Sequence, residues 1–225
     1  MTPPTPTAKR NTKERDRYVR DHGTDDALPM PFAWGPKSFR VRYAIGALEI
    51  LAILASLEPY VIEHSALGWL AESYNLTSAG AKVDITPAFA LGLMLSVFGS
   101  WIRGSCYKHM GRFFTFELTI QDEHKLITSG PYAIVRHPSY LGLFAFYVGS
   151  GLCLFGPGSF WAAAGMWKTV TGLVFGGYYA VYMVYVGYAL FARAAKEDEV
   201  LRKEFKDQWV SWSKKTPYKL IPFVY

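Results

Sequence analysis

Four apolar runs stand out along the chain, and charged segments separate them. The first covers residues 41–57, "VRYAIGALEILAILASL", and is interrupted by Glu49. The second covers about 87–102 and stops at Arg103. The third covers about 140–155 and stops at "GPG". The fourth covers about 171–192 and stops at Arg193. Each approaches the ~20 apolar residues that cross a bilayer core. The pattern therefore predicts an all-α integral membrane protein with about four to five transmembrane helices. A charge near a helix centre costs roughly 2.5–3.5 kcal/mol on insertion scales, so Glu49 is expected to face other helices or a wet cavity. Between the third and fourth runs, "SFWAAAGMWKTV" is apolar but short and carries Lys168 near its end. Its Trp161 and Trp167 suit a membrane interface, so 158–170 is open to crossing, re-entering or lying on the bilayer.

Charge changes this picture by giving it a direction. Of 225 residues, 51% are hydrophobic, 16% aromatic and 19% charged, with a formal net charge of +6. The positive charge lies in blocks flanking the apolar runs, as on membrane-flanking segments, so no nucleic-acid partner is expected. Lys and Arg crowd the N-terminal tail, the 103–137 loop and the segment after Arg193. The 59–86 loop has only Lys82. Both termini and 103–137 are thus expected on the cytosolic side. The sequon "NLT" at Asn75 falls on the opposite side, where glycosylation occurs. Residues 1–37 are polar, basic and Pro-rich without an apolar core segment, and read as a flexible tail. The expected division is a tail over 1–37, N-terminal spans over 38–102 and a C-terminal region over 103–225 that includes the last spans. Cys106 and Cys153 imply no disulfide framework.

Two polar clusters then fall on the same cytosolic side. In "RHPSY", Pro138 suits the first turn of a helix, with His137 just before its positive dipole end. Free N–H groups there suit an anion. A bland account exists: Arg136 snorkels, His137 lies at the interface and Pro138 starts a helix. In "RAAKEDEVL", Arg193 and Glu197 are one turn apart on one helix face. The bland account is an ion pair, with Asp198 and Glu199 a solvated cap. Two such clusters converging on one membrane face favour a site. No GxGxxG, P-loop, CxxC, HExxH or GxSxG occurs, His109 and His124 lack metal-ligand spacing, and no metal is expected. Gly176 and Gly177 lie mid-span, where small residues serve close helix packing.

The stretches "HKLITSGPY", "RHPSYLG" and the spacing R-x-x-x-E-D-x-x-L resemble the isoprenylcysteine carboxyl methyltransferase family, over roughly the C-terminal half. The resemblance implies S-adenosylmethionine as methyl donor, in a cytosol-facing pocket closed by the C-terminal helix. It implies a prenylated C-terminal cysteine as acceptor and an endoplasmic reticulum membrane as setting. It places donor contacts on Gln121, His124, Lys125, Leu126, Ile127, Tyr132, His137, Pro138, Ser139, Tyr140 and Glu197, and the acceptor carboxylate on Arg193. Arg193 and Glu197 are the implied catalytic pair. This chain departs from the family in a shorter segment between Gln121 and His124 and a longer one from 157 to 193. Phospholipid N-methyltransferases use the same donor but need no carboxylate clamp, which Arg193 would supply. NADPH-dependent sterol reductases share an RHPxY-type stretch and endings like "PYKLIPFVY". A non-enzymatic membrane scaffold would bind neither cofactor.

Overall fold

Pro87 opens the first long helix among the described residues. Thr86 caps it, its Oγ1 accepting from the Phe89 N–H at 3.2 Å and its carbonyl from Ala90 at 2.9 Å. The computed structural model describes residues 47, 50–54, 68–73, 79–80, 82–114 and 125–224. The expected tail 1–37, most of the 41–57 run with Glu49, the Asn75 sequon, Gln121 and His124 lie outside the described residues. Within them, every regular element is helical: α1 (Gly68–Ser73), α2 (Pro87–Met110), α3 (Pro138–Phe155), α4 (Phe160–Ala163) and α5 (Val170–Lys215), with 3₁₀ turns at Gly111–Phe113, Gly130–Ala133 and Met166–Lys168.

Three helical stretches among the described residues are long and apolar enough to cross a membrane: Pro87–Met110, Pro138–Ala163 and Val170–Lys215. This is an integral membrane protein, and its exposed apolar rows fit a lipid environment. Leu93, Met94 and Val97 on α2, and Val174, Val181 and Val184 on α5, are all exposed. Arg103 and Arg193 end apolar runs but not helices. A charged side chain changes the solvent a helix prefers without breaking its backbone ladder, so α2 continues to Met110 and α5 to Lys215. α5 breaks within its last third, at Lys206 (φ 43°, ψ −115°).

The chain groups into two compact units. One comprises 145–185 together with the described residues between 47 and 98. There α2 and α3 meet backbone to backbone through Gly92 and Gly149. A Cβ on Gly92 would come within 2.7 Å of the Gly149 carbonyl oxygen, and one on Gly149 would collide with that of Gly92. Ser159 caps α4 through Oγ, accepting from the Ala162 N–H at 3.3 Å. α4 and the 3₁₀ turn after it have four and three residues, too short to cross a bilayer by themselves. Their tryptophans instead pack in an aromatic cluster. Phe155 lies 5.1 Å from Trp161, 6.1 Å from Trp167 and 4.9 Å from Tyr179 between ring centroids. Gly176 makes room for the Trp167 ring, whereas a Cβ on Gly177 would meet open space, so only the first of the two glycines serves packing.

The other unit comprises, among the described residues, 99–114, 125–144 and 186–224. Its core is Ile102, Cys106, Tyr132 and Trp212, with Leu126, Ile127, Leu141, Leu201 and Trp209 packed around them. Gly142 lets α3 approach α2 here, since its Cβ would lie 2.8 Å from the Gly99 carbonyl oxygen. Both polar clusters picked out above lie in this unit.

Candidate functional site

α3 starts at Pro138, where the missing N–H of proline costs nothing. The His137 carbonyl accepts from Tyr140 and Leu141 at 3.1 and 3.4 Å. The helix start is thus largely satisfied by its own preceding residue, which reduces its capacity as a free anion site. The two residues before Pro138 are fixed from outside. The Arg136 and His137 N–H groups donate to the carbonyls of Tyr218 and Lys219 at 2.9 and 2.8 Å. The Trp212 indole donates to the Tyr132 carbonyl at 3.1 Å, and the Thr216 hydroxyl to that of Ala133 at 3.4 Å. The segment after α5 therefore straps down the loop that leads into α3.

One connected chain of side chains joins the start of α3 to one face of α5. Arg193 Nε donates to Tyr140 Oη at 2.7 Å, and Tyr140 Oη donates to Glu197 Oε2 at 2.8 Å. His137 Nδ1 lies 3.2 Å from the same Glu197 oxygen, and its Nε2 lies 3.1 Å from Asp198 Oδ1. Asp198 Oδ2 closes the chain on Arg136 at 3.2 Å. The His137 and Tyr140 rings stack, 9° from parallel, and the Arg136 guanidinium sits 5.7 Å over the Trp209 ring. From α2, Arg103 donates to the Ser139 carbonyl and hydroxyl at 3.3 and 3.2 Å, holding the first turn of α3.

Burial changes part of the bland account of each cluster, although Pro138 does start a helix. Asp198 is 6% exposed and lies in the network; only Glu199, paired with Lys203 at 2.8 Å, behaves as a solvated residue. Arg136 does not snorkel: its side chain is buried against Asp198. Arg193 and Glu197 share a helix face as expected, but the hydroxyl of Tyr140 stands between them. His137, 4% exposed, spends both ring nitrogens on carboxylates, so its side chain braces others and is not open to a ligand. Burial pulls its pKa down, but the hydrogen bonds and charges of Asp198 and Glu197 outweigh this and raise it to about 9. At neutral pH it is an imidazolium between two carboxylates.

Tyr132, Pro138, Ser139 and Tyr140 gather with this network in the same unit. Leu126 and Ile127 pack against the core cluster that holds Tyr132, and Lys125 is exposed. Arg103, Arg136 and Asp198 also belong to the network, although along the chain they read as the end of an apolar run, a snorkelling arginine and part of a solvated cap. A signal existed for the first, an arginine closing an apolar run; for the other two only the fold distinguishes them from surface charge. What the arrangement offers a ligand is the Glu197 carboxylate. It is 28% exposed, and both its bonds go to Oε2, so among the described residues Oε1 is open. A partly exposed, ionised oxygen of this kind suits an ammonium or hydroxyl group.

Residues 91–203 match the sequence profile of the isoprenylcysteine carboxyl methyltransferase family. The chain is 31% identical over 136 residues to protein-S-isoprenylcysteine O-methyltransferase B of Arabidopsis thaliana, covering 59% of this chain and 58% of that protein. It is 30% identical over 144 residues to the protein-S-isoprenylcysteine O-methyltransferase of Mus musculus, covering 63% and 44%, and 32% identical over 111 residues to that of Homo sapiens, covering 45% and 39%. The chain thus spans less than two thirds of the length of these relatives. The matches lend no support to a phospholipid N-methyltransferase or a sterol reductase. The profile takes in the whole stretch from α2 to the face of α5 that carries Arg193, Glu197 and Asp198, and on that match this chain belongs to the isoprenylcysteine carboxyl methyltransferase family.

Proposed function

We propose that this chain methylates the C-terminal carboxylate of prenylated cysteine, using S-adenosylmethionine. The observation that carries the reading is the Arg193–Tyr140–Glu197–His137 chain in a member of this family. S-adenosylmethionine, when bound, supplies an activated methyl group. The residues present fit it: the open Oε1 of Glu197 can accept from its ammonium or hydroxyl groups. Lys125, Leu126, Ile127, Tyr132, Pro138, Ser139 and Tyr140 are the further contacts we assign to it, with Gln121 and His124. His137 and Asp198 hold Glu197 in place.

An acceptor carboxylate of pKa ~3.5 is ionised at neutral pH, so the reaction needs no general base. It needs alignment of one carboxylate oxygen with the methyl group, and positioning of this kind is a large catalytic term. Arg193 is assigned that role. Tyr140 fixes its guanidinium through Nε, so the clamp is oriented before the acceptor arrives. The membrane setting follows from the acceptor, since burying a prenyl chain is worth roughly 0.8 kcal/mol per CH₂. We place the pocket on the cytosolic side of the endoplasmic reticulum membrane, with both termini cytosolic and the C-terminal part of α5 closing it. The test is transfer of labelled methyl from S-adenosylmethionine to N-acetyl-farnesylcysteine in membranes containing this chain. Product that forms with wild type and drops with Tyr140→Phe supports the assignment; no product with wild type refutes it.

A further inference from the structure

The segment after α5 does more than strap the loop before α3, because its outer side is built as a wedge. Leu220 and Thr216 are buried and anchor it inward. Its tip points the other way: Phe223 is 86% exposed and Val224 75%. The two sit in a tight turn closed by the Val224 N–H on the Ile221 carbonyl at 3.1 Å. Phe223 adopts φ 66°, a left-handed conformation that aromatic residues rarely take and that costs energy. In this turn the Phe223 ring rests with one side on Tyr218, at 5.3 Å between ring centroids, and leaves the rest of its surface open. Lys214 and Lys215 are exposed at the end of α5, and no Asp or Glu occurs from 208 to 224. Position completes the set. The pairing of Tyr218 and Lys219 with Arg136 and His137 fixes this segment beside the first residue of α3, a membrane-crossing helix, and therefore at the height of the lipid headgroups.

We propose that residues 214–224 dock on an anionic lipid surface, with Phe223 and Val224 entering the headgroup–acyl boundary and Lys214 and Lys215 pairing with lipid phosphates and carboxylates. Two exposed apolar residues alone would accept any leaflet; the uncompensated lysine pair selects an anionic one. Near such a surface each lysine is worth about fivefold in binding, so the pair changes the docked-to-undocked ratio roughly 25-fold. Docking would also hold the strap against Arg136 and His137.

The test places an environment-sensitive fluorophore on Val224→Cys in the full chain, with unsubstituted protein as labelling control for Cys106 and Cys153. The protein is reconstituted in vesicles of phosphatidylcholine alone and of phosphatidylcholine with phosphatidylserine. Blue-shifted emission is expected in the anionic vesicles. It should be lost in the Lys214→Gln/Lys215→Gln variant and at high salt, and weakened by Phe223→Ser. Equal emission in the two vesicle types overturns the proposal, as does a shift indifferent to the lysine pair or one appearing only on addition of a soluble protein.

Discussion

Replacing Asp198 with Asn removes the partner of a buried guanidinium and of a buried imidazolium at once. Leaving one member of a buried pair uncompensated costs about 3–5 kcal/mol. Asp198→Asn should therefore lower the thermal midpoint of the detergent-solubilised protein by many degrees. Glu199→Gln, one residue away, breaks an exposed i,i+4 pair with Lys203 worth only about 0.3–0.5 kcal/mol and should barely move it. Equal effects of the two would contradict the burial of Asp198. His137 makes a pH prediction with a definite sign. Its folded pKa, about 9, lies above the ordinary 6.5. Its contribution is therefore complete below pH 6.5 and disappears as pH rises through 9. A thermal midpoint scanned over that window should decline, and in His137→Gln that part of the decline should vanish. The charges at 193 and 197, bridged by the Tyr140 hydroxyl, separate by chemistry. Arg193→Lys keeps the charge but loses the planar fork, so turnover should fall while donor affinity stays. Glu197→Gln should weaken donor binding itself, read by direct titration.

At the scale of the elements, the fold rests on how closely α2 and α3 approach. Gly149 leaves no room for a side chain against the Gly92 backbone. Gly149→Leu must push two helices apart, and overpacking of this kind costs roughly 1–3 kcal/mol or more. A variant with wild-type stability would show that the helices yield. The strap after α5 makes a different prediction. Deleting 217–224 removes the two carbonyls that accept from Arg136 and His137 while leaving every membrane-crossing helix whole. The shortened protein should still insert, measured by carbonate-resistant membrane association, yet lose donor affinity. Retained affinity would make the strap a passive tail.

For the molecule as a whole, the proposed reaction joins a water-soluble donor to an acceptor that lives in lipid. Shortening the acceptor's alkyl chain should then act through its concentration in the bilayer. Each CH₂ removed is worth about 0.8 kcal/mol, or about fourfold in partition. KM referred to total volume should rise by about that factor per carbon, with kcat little changed. A fall in kcat instead would mean that the protein reads the chain directly.

Much of this protein was legible along the chain. Whether a stretch is apolar enough for lipid is a local property, so the second, third and fourth runs could be read as helices before any fold was known. Pro138 could be placed at a helix start by its missing N–H, and Arg193 and Glu197 on one face by helical period alone. Motif spacing carried the family. What the tertiary structure decided was which charges are buried. Asp198 and Glu199 are neighbours of the same chemical type, and nothing in the sequence around them says that one braces His137 and Arg136 while the other meets water. That depends on which face of α5 meets the start of α3, and on a strap of chain some eighty residues from that start in sequence. Burial, and with it the raised pKa of His137 and the role of Tyr140 as a bridge, exists only once those distant segments are brought together.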